Sequence, residues 1–119
     1  MDRILINAAR LSAHIGVSDE ERAQPQDLVF DITLLHDLRE AGESDDFSKT
    51  ICYAEVIREV EGILAKPFHL IEAVAETVAA RVLADFAVEE ITVRVSKPGA
   101  FPGRSIDHAA VEITRRRDG

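Results

Sequence analysis

Four polar residues stand at points where a regular pattern begins or ends, and together they offer the groups a proton-transfer site needs. Glu21 lies in the polar stretch Gly16–Pro25. Tyr53, the only tyrosine, opens an apolar helical pattern, and Glu72 follows Leu70-Ile71 at the start of a second one. Lys97, one of three lysines, ends an alternating segment immediately before Pro98-Gly99. Lysine, tyrosine and glutamate side chains all serve as general acids or bases when their surroundings tune them. Each also has a plainer reading. An acid in the first turn of a helix is favoured by the helix dipole, and a lysine at a strand end is usually solvated. Singly, none of the four marks a site.

Other chemistries find no support. His14, His36, His69 and His108 are scattered, with no HxH, HxxxH or CxxC pair. A zinc site needs three or four converging ligands, so no metal and no cofactor is expected. There is no GxGxxG or Walker loop, and no G-x-S-x-G elbow. A formal net charge of −8 argues against a nucleic-acid partner, which calls for a basic patch. Arg115-Arg116-Arg117 beside Asp118 reads as a short solvated run. Cys52 is the only cysteine, so no internal disulfide forms, which fits a reducing compartment; it reads as a small packed residue. No apolar run approaches the roughly 18 residues a membrane helix requires. The opening segment MDRILINAAR carries Asp2 and lacks a signal-peptide core, so a cytoplasmic location is expected.

The elements that must position these residues follow from hydrophobic period. At 119 residues the chain is expected to be one domain, 1–119. Residues 3–15 are apolar and rich in β-formers. In Gln26–Leu38, Leu28, Phe30, Ile32 and Leu34 alternate with Val29, Asp31, Thr33 and Leu35, the period of two of a half-buried strand. Gly16–Pro25 between them is longer than a tight hairpin needs, and Ala41–Thr50 is turn-rich. A helix is expected from about Thr50, whose hydroxyl can cap it, with Val56, Ile57, Val60, Ile63 and Leu64 on one face. Pro67 breaks it. A second helix runs from Leu70 to Phe86, with Ile71, Val74, Ala75, Val78, Ala79, Val82 and Leu83 in the strongest periodic pattern of the chain. Ile91, Val93 and Val95 alternate as a third strand, and Ala109, Val111 and Ile113 as a fourth.

The order β-β-α-α-β-β segregates strands from helices, which predicts an α+β fold with a mostly antiparallel sheet and the helix pair on one face. Such a sheet leaves two edges and one face uncovered, which natural proteins rarely tolerate. Closing against copies of itself into a barrel would remove the edges, so a homo-oligomer is expected. A small domain with little interior also makes a site between subunits attractive.

Taken together, the polar residues and their neighbours resemble the dihydroneopterin aldolase family along nearly the whole chain. The resemblance rests on Ile15-Gly16-Val17 with Glu21 and Gln26, then Phe30-Asp31-Ile32, Ser44-Asp45-Asp46 with Tyr53-Ala54-Glu55-Val56, Leu70-Ile71-Glu72 with Ala75-Glu76, and Val95-Ser96-Lys97-Pro98-Gly99-Ala100. It implies the T-fold, also β-β-α-α-β-β, closed into tetrameric β-barrel rings that stack as octamers with the pterin between neighbouring subunits. It also implies metal-free retro-aldol cleavage of 7,8-dihydroneopterin, in folate biosynthesis, to 6-hydroxymethyl-7,8-dihydropterin and glycolaldehyde, the C6=N5 imine of the substrate serving as the electron sink. Glu72 would then anchor the pterin with the Ile71 backbone. Lys97 would be the general acid/base, Tyr53 from the adjacent subunit would steady the proton, and Glu21 would orient Lys97 and the substrate tail. The same intermediate can recombine with inverted stereochemistry, which allows epimerisation at C2′. Two rivals stand beside this reading: a dihydroneopterin triphosphate epimerase, and a catalytically silent T-fold protein that binds a pterin or purine. The Phe101–Ser105 stretch follows no pattern from which a role can be read.

Overall fold

The computed structural model of the chain describes residues 1–118. Four antiparallel strands, β1 (Asp2–Ala13), β2 (Gln26–His36), β3 (Glu90–Lys97) and β4 (Ala109–Arg116), form one sheet in the order β1-β2-β3-β4. The helices α3 (Tyr53–Ile63) and α4 (Ile71–Asp85) lie between β2 and β3 in the chain. This is the expected α+β arrangement. Because strand side chains alternate between faces, one row of each central strand enters the core. Leu28, Phe30, Ile32 and Leu34 of β2 and Ile91, Val93 and Val95 of β3 are all 0–1% exposed. They pack with Val56 and Val60 of α3 and with Val74, Val78 and Val82 of α4.

The register places Phe30 opposite Val95 and Ile32 opposite Val93, so the buried rows run side by side across β2 and β3. The opposite face carries Asp31, Thr33, Thr92 and Arg94, each at least partly exposed. Among the described residues neither edge strand, β1 or β4, has a partner on its outer side. β1 is bent by a bulge between Ile6 and Ala9. Ala8 there has a φ of 56°, which costs a non-glycine residue energy, and its N–H donates to Asp31 Oδ1 at 2.8 Å. No helix among the described residues is long and apolar enough to cross a membrane.

The connections depart from the sequence reading in three places. Gly16–Pro25 is not an open loop: it contains the one-turn helix α1 (Asp19–Ala23). The turn-rich Ala41–Thr50 stretch contains α2 (Arg39–Ser44), ended by Asp45 in the left-handed region, and a 3-10 turn over Phe47–Lys49. Asp46 caps that turn by accepting the Ser48 N–H at 2.9 Å. Thr50 therefore closes the turn instead of capping a helix, and α3 begins only after Cys52, which gives no side-chain cap. These segments are too short and polar to show a hydrophobic period; Ser18 and Asp46 announce α1 and the 3-10 turn as caps, whereas α2 starts after Leu38 with no side-chain cap.

One contact between the helices works against the fold at neutral pH. The carboxyl of Asp85 beside Glu59 raises the Glu59 pKa above its ordinary value, burial adds to the effect, and Arg81 opposes it. Arg81 Nε lies 3.6 Å from Glu59 Oε1. A carboxyl whose pKa is raised by folding stabilises the fold below its unfolded pKa, and that contribution is lost as pH rises through the folded value. Glu59→Gln should therefore stabilise the protein at pH 7, by about 0.5 kcal/mol or more and a few degrees of melting temperature. The gain should shrink towards pH 4. Melting curves of both proteins across that range check the sign.

Candidate active site

The buried rows of β2 and β3 end at polar residues. Lys97 is the next helix-facing position after Val95 on β3, and Gln26 is the next one back from Leu28 on β2. Strand alternation thus delivers both side chains to the same face at the same end of the sheet. α1 supplies a third. Ser18 caps it by accepting the Glu21 N–H at 3.1 Å, and the Glu21 carboxylate turns towards the sheet. Lys97 Nζ lies 2.7 Å from Glu21 Oε2, and Gln26 Nε2 donates to the same oxygen at 3.2 Å. Gln26 Nε2 also donates to the Ile15 carbonyl at 2.8 Å, which ties the pair to the end of β1.

The short helix is held from its other side. Arg22 Nη1 donates to the carbonyls of Gly16 at 2.9 Å and Val17 at 2.8 Å, Arg22 pairs with Asp19, and His14 Nδ1 donates to the Arg22 carbonyl at 2.8 Å. The loop before α4 docks beside it, with the Gly16 N–H donating to the Phe68 carbonyl at 3.1 Å and the Phe68 N–H donating to the His14 carbonyl at 3.0 Å. Glu21 is therefore placed by a latched turn, although its segment shows no regular pattern in sequence.

A cleft of about 530 Å³ opens over the pair, lined by Glu20, Glu21, Gln24, Gln26, Lys97 and Pro102 among others. That volume falls in the range of small-molecule sites. The Lys97 side chain is 17% exposed and that of Glu21 36%, so the pair is accessible without being fully hydrated. The hydrogen bond from Lys97 lowers the Glu21 pKa, and Gln26 adds to the lowering. Glu21 thus stays ionised, an acceptor held against the ammonium group. A lysine and a glutamate in this contact can pass a proton to and from a bound hydroxyl.

The other two sequence candidates lie elsewhere in the chain. Glu72 is exposed in the first turn of α4, at the same end of the sheet because Phe68, just ahead of that helix, pairs with Ile15. Among the described residues Glu72 makes no hydrogen bond or ion pair with Glu21 or Lys97. Ile71, beside it, is buried at 9% exposure. Tyr53 is 64% exposed and sits at the opposite end. Its neighbour Cys52 lines a cleft with Asp85 and Phe86, at the far terminus of α4. The 15 residues of α4 span roughly 22 Å at 1.5 Å each, several times the reach of a tyrosine. The chain by itself therefore brings Glu21, Gln26 and Lys97 together and keeps Tyr53 away from them. In the sequence Gln26 stands out only as one of the residues that carry the family resemblance. The signal that could have announced the arrangement is Ser18-x-x-Glu21, the spacing of a helix capping box.

Among the described residues no group of three histidine, cysteine or acidic side chains is placed to hold a metal ion.

Comparison with known proteins places the sequence and the fold. The family model for dihydroneopterin aldolase (FolB) matches residues 4–114. The dihydroneopterin aldolase of Methylorubrum extorquens is 39% identical, over 98% of this chain and 91% of that protein. That of Streptomyces coelicolor is 36% identical, over 98% and 99%. Among solved structures, Escherichia coli dihydroneopterin aldolase in complex with neopterin superposes with a TM-score of 0.91 at 36% identity, covering 97% of this chain and 99% of that one.

The ion pair makes a direct prediction. A carboxylate with a depressed pKa adds stability above its unfolded pKa and loses it as pH falls through the folded value. In a carbon-detected NMR titration the Glu21 carboxyl should titrate below an ordinary glutamate. In Lys97→Met it should move back up towards the ordinary value. An unchanged midpoint would mean that Lys97 is not its partner.

Proposed function

The chain belongs to the dihydroneopterin aldolase family, an aldehyde-lyase family, and from that premise we propose that Lys97 and Glu21 carry the proton transfers of dihydroneopterin cleavage in a pocket completed by a second copy of the chain. The observation that supports this most is the Lys97–Glu21 contact of 2.7 Å at the mouth of a cleft that Tyr53 of the same chain does not approach. The relative from E. coli is seen with neopterin and that from Burkholderia thailandensis, 26% identical at a TM-score of 0.81, with guanine. Both ligands present an amino group beside a ring N–H, the pattern that a carboxylate such as Glu72 receives through two parallel hydrogen bonds.

Each step can be assigned to a group. The side-chain hydroxyl on C2′ gives up its proton to Lys97 in its neutral amine form, with Glu21 holding that amine in place. The C1′–C2′ bond breaks, glycolaldehyde leaves, and the bonding pair moves through C6 to N5, turning the imine into an enamine. Protonation at C1′ by the Lys97 ammonium so formed then restores the imine and yields 6-hydroxymethyl-7,8-dihydropterin. Tyr53 of the neighbouring copy steadies the proton in transit. Glu72 and the Ile71 backbone hold the ring, placing the reacting bond over Lys97. Re-addition of the enamine carbon C1′ to the opposite face of the glycolaldehyde carbonyl gives the C2′ epimer. The cleft walls carry Glu20 and Glu21 against the single cation Lys97, a poor setting for a triphosphate.

The free edges of β1 and β4 and the uncovered sheet face support closure into a barrel ring of one-domain subunits, tetrameric or stacked as an octamer. A heterologous contact of this kind sets one patch of a subunit against a different patch of its neighbour. It would bring exposed Tyr53 and Phe47 to the side of Val17 and Leu70, all of which are about half or more exposed in the lone chain. The lone Cys52 supports a reducing, cytoplasmic setting for the enzyme.

The activity is checked by incubating the protein with 7,8-dihydroneopterin and following glycolaldehyde and the pterin product; absence of both would overturn the reading. Roles separate by mutation. Glu72→Ala should weaken binding of the product pterin roughly 10- to 100-fold, the usual effect of losing a charged hydrogen-bond partner. Lys97→Ala should leave that affinity within about tenfold while turnover falls about 100-fold or more. The reverse pattern would exchange the two assignments. Division of the site between copies is checked by unfolding and refolding inactive Tyr53→Phe and Glu72→Ala proteins together. Mixed oligomers should regain activity, because some pockets then hold both intact residues. Mixed oligomers that stay inactive would place the site within one chain.

A further inference from the structure

Gly16 lies directly beneath the Glu21 side chain. A Cβ built on Gly16 would overlap the Cγ, Cδ and Oε1 atoms of Glu21. The backbone there cannot retreat easily. The Gly16 N–H is bonded to the Phe68 carbonyl, its carbonyl accepts from Arg22, and the preceding Ile15 carbonyl accepts from Gln26. Its φ of 155° is also a value that side-chain-bearing residues seldom adopt. Glu21 is fixed at its backbone, with its N–H held by Ser18, whereas its part-exposed side chain is held only by its contacts with Lys97 and Gln26. A methyl group at position 16 must therefore displace the Glu21 side chain from the space it occupies, and with it the carboxylate position that makes the 2.7 Å contact with Lys97.

We propose that Gly16 is a positioning residue for the proton-transfer pair: the missing side chain is the space in which Glu21 lies so as to meet Lys97. The inference rests on the roles given above to Glu21 and Lys97. Gly16 is not among the residues lining the cleft and acts through Glu21. A shift of the carboxylate by about 1 Å is enough to lower a rate on the order of 100-fold where geometry governs proton transfer.

The test is Gly16→Ala, read by three measurements. The Glu21 carboxyl midpoint, followed by carbon-detected NMR, should rise towards that of an ordinary glutamate. Turnover at saturating dihydroneopterin should fall tenfold or more, and affinity for the product pterin should stay within about tenfold. A purely structural glycine would lower thermal stability without moving the midpoint. An unmoved midpoint in folded Gly16→Ala therefore overturns the proposal, whatever the enzyme catalyses. A raised midpoint with undiminished turnover overturns the assigned role of Glu21 and the positioning role with it. Should Gly16→Ala fold poorly, the same substitution in a Glu21→Ala background decides the matter by urea unfolding. With the obstructing carboxylate gone, position 16 should tolerate alanine better than in the parent. An equal loss in both backgrounds would locate the cost in the backbone alone and overturn the proposal.

Discussion

The alternation of side chains on β2 and β3 is the constraint on which the rest of the molecule depends. With Phe30 opposite Val95 and Ile32 opposite Val93, two apolar rows lie side by side under α3 and α4, and the core is complete only in that register. A slip of one residue would turn both rows to the other face. It would also turn Gln26 and Lys97 away from α1, because they continue the same rows past the last buried residues. Core and site thus share one register. The free energy that fixes the hydrophobic rows also fixes where the lysine emerges, with no separate device for aiming it.

Electrostatics then decides what the emerging lysine does. Lys97 is mostly covered, and a covered ammonium group needs a partner. Glu21 provides it, and Gln26 fills a further hydrogen-bonding position on the same carboxylate. The chain carries a formal net charge of −8, so a carboxylate beside the cleft gains nothing from its general surroundings. Its low pKa comes from local contacts, Lys97 first and Gln26 second. Those contacts survive because α1 is latched through Ser18, Arg22 and His14, and because residue 16 has no side chain to contest the space.

The same architecture leaves work for a second copy. α3 and α4 begin at opposite ends of the sheet, so the aromatic residue at the head of α3 and the acid at the head of α4 cannot serve one pocket within one chain. A β-sheet with two open edges and an uncovered face offers the surface by which copies can join. Under the proposed arrangement the edge strands and the split site answer the same need, since closing the sheet also completes the pocket.

Much of this is legible in the sequence because the governing patterns are local. Period two in Gln26–His36 and Glu90–Lys97 and period 3.6 in Ile71–Asp85 follow from which neighbours point the same way, and they place Lys97 at a strand end and Glu72 in a first helical turn. The short elements α1 and α2 escaped that reading because they bury no apolar stripe, and only α1 has a side-chain cap at its start. Nor can spacing show that Glu21 reaches Lys97, that Gln26 ties both to Ile15, or that Gly16 must leave room beneath them. Lys97 lies far from the others in the chain, and the group meets only when the loop between β1 and β2 folds against the ends of three strands. The sequence by itself determined the elements and the kinds of groups at their ends. The tertiary structure alone decided which groups touch, because contact between distant residues depends on register and loop closure, and neither is written in any local window.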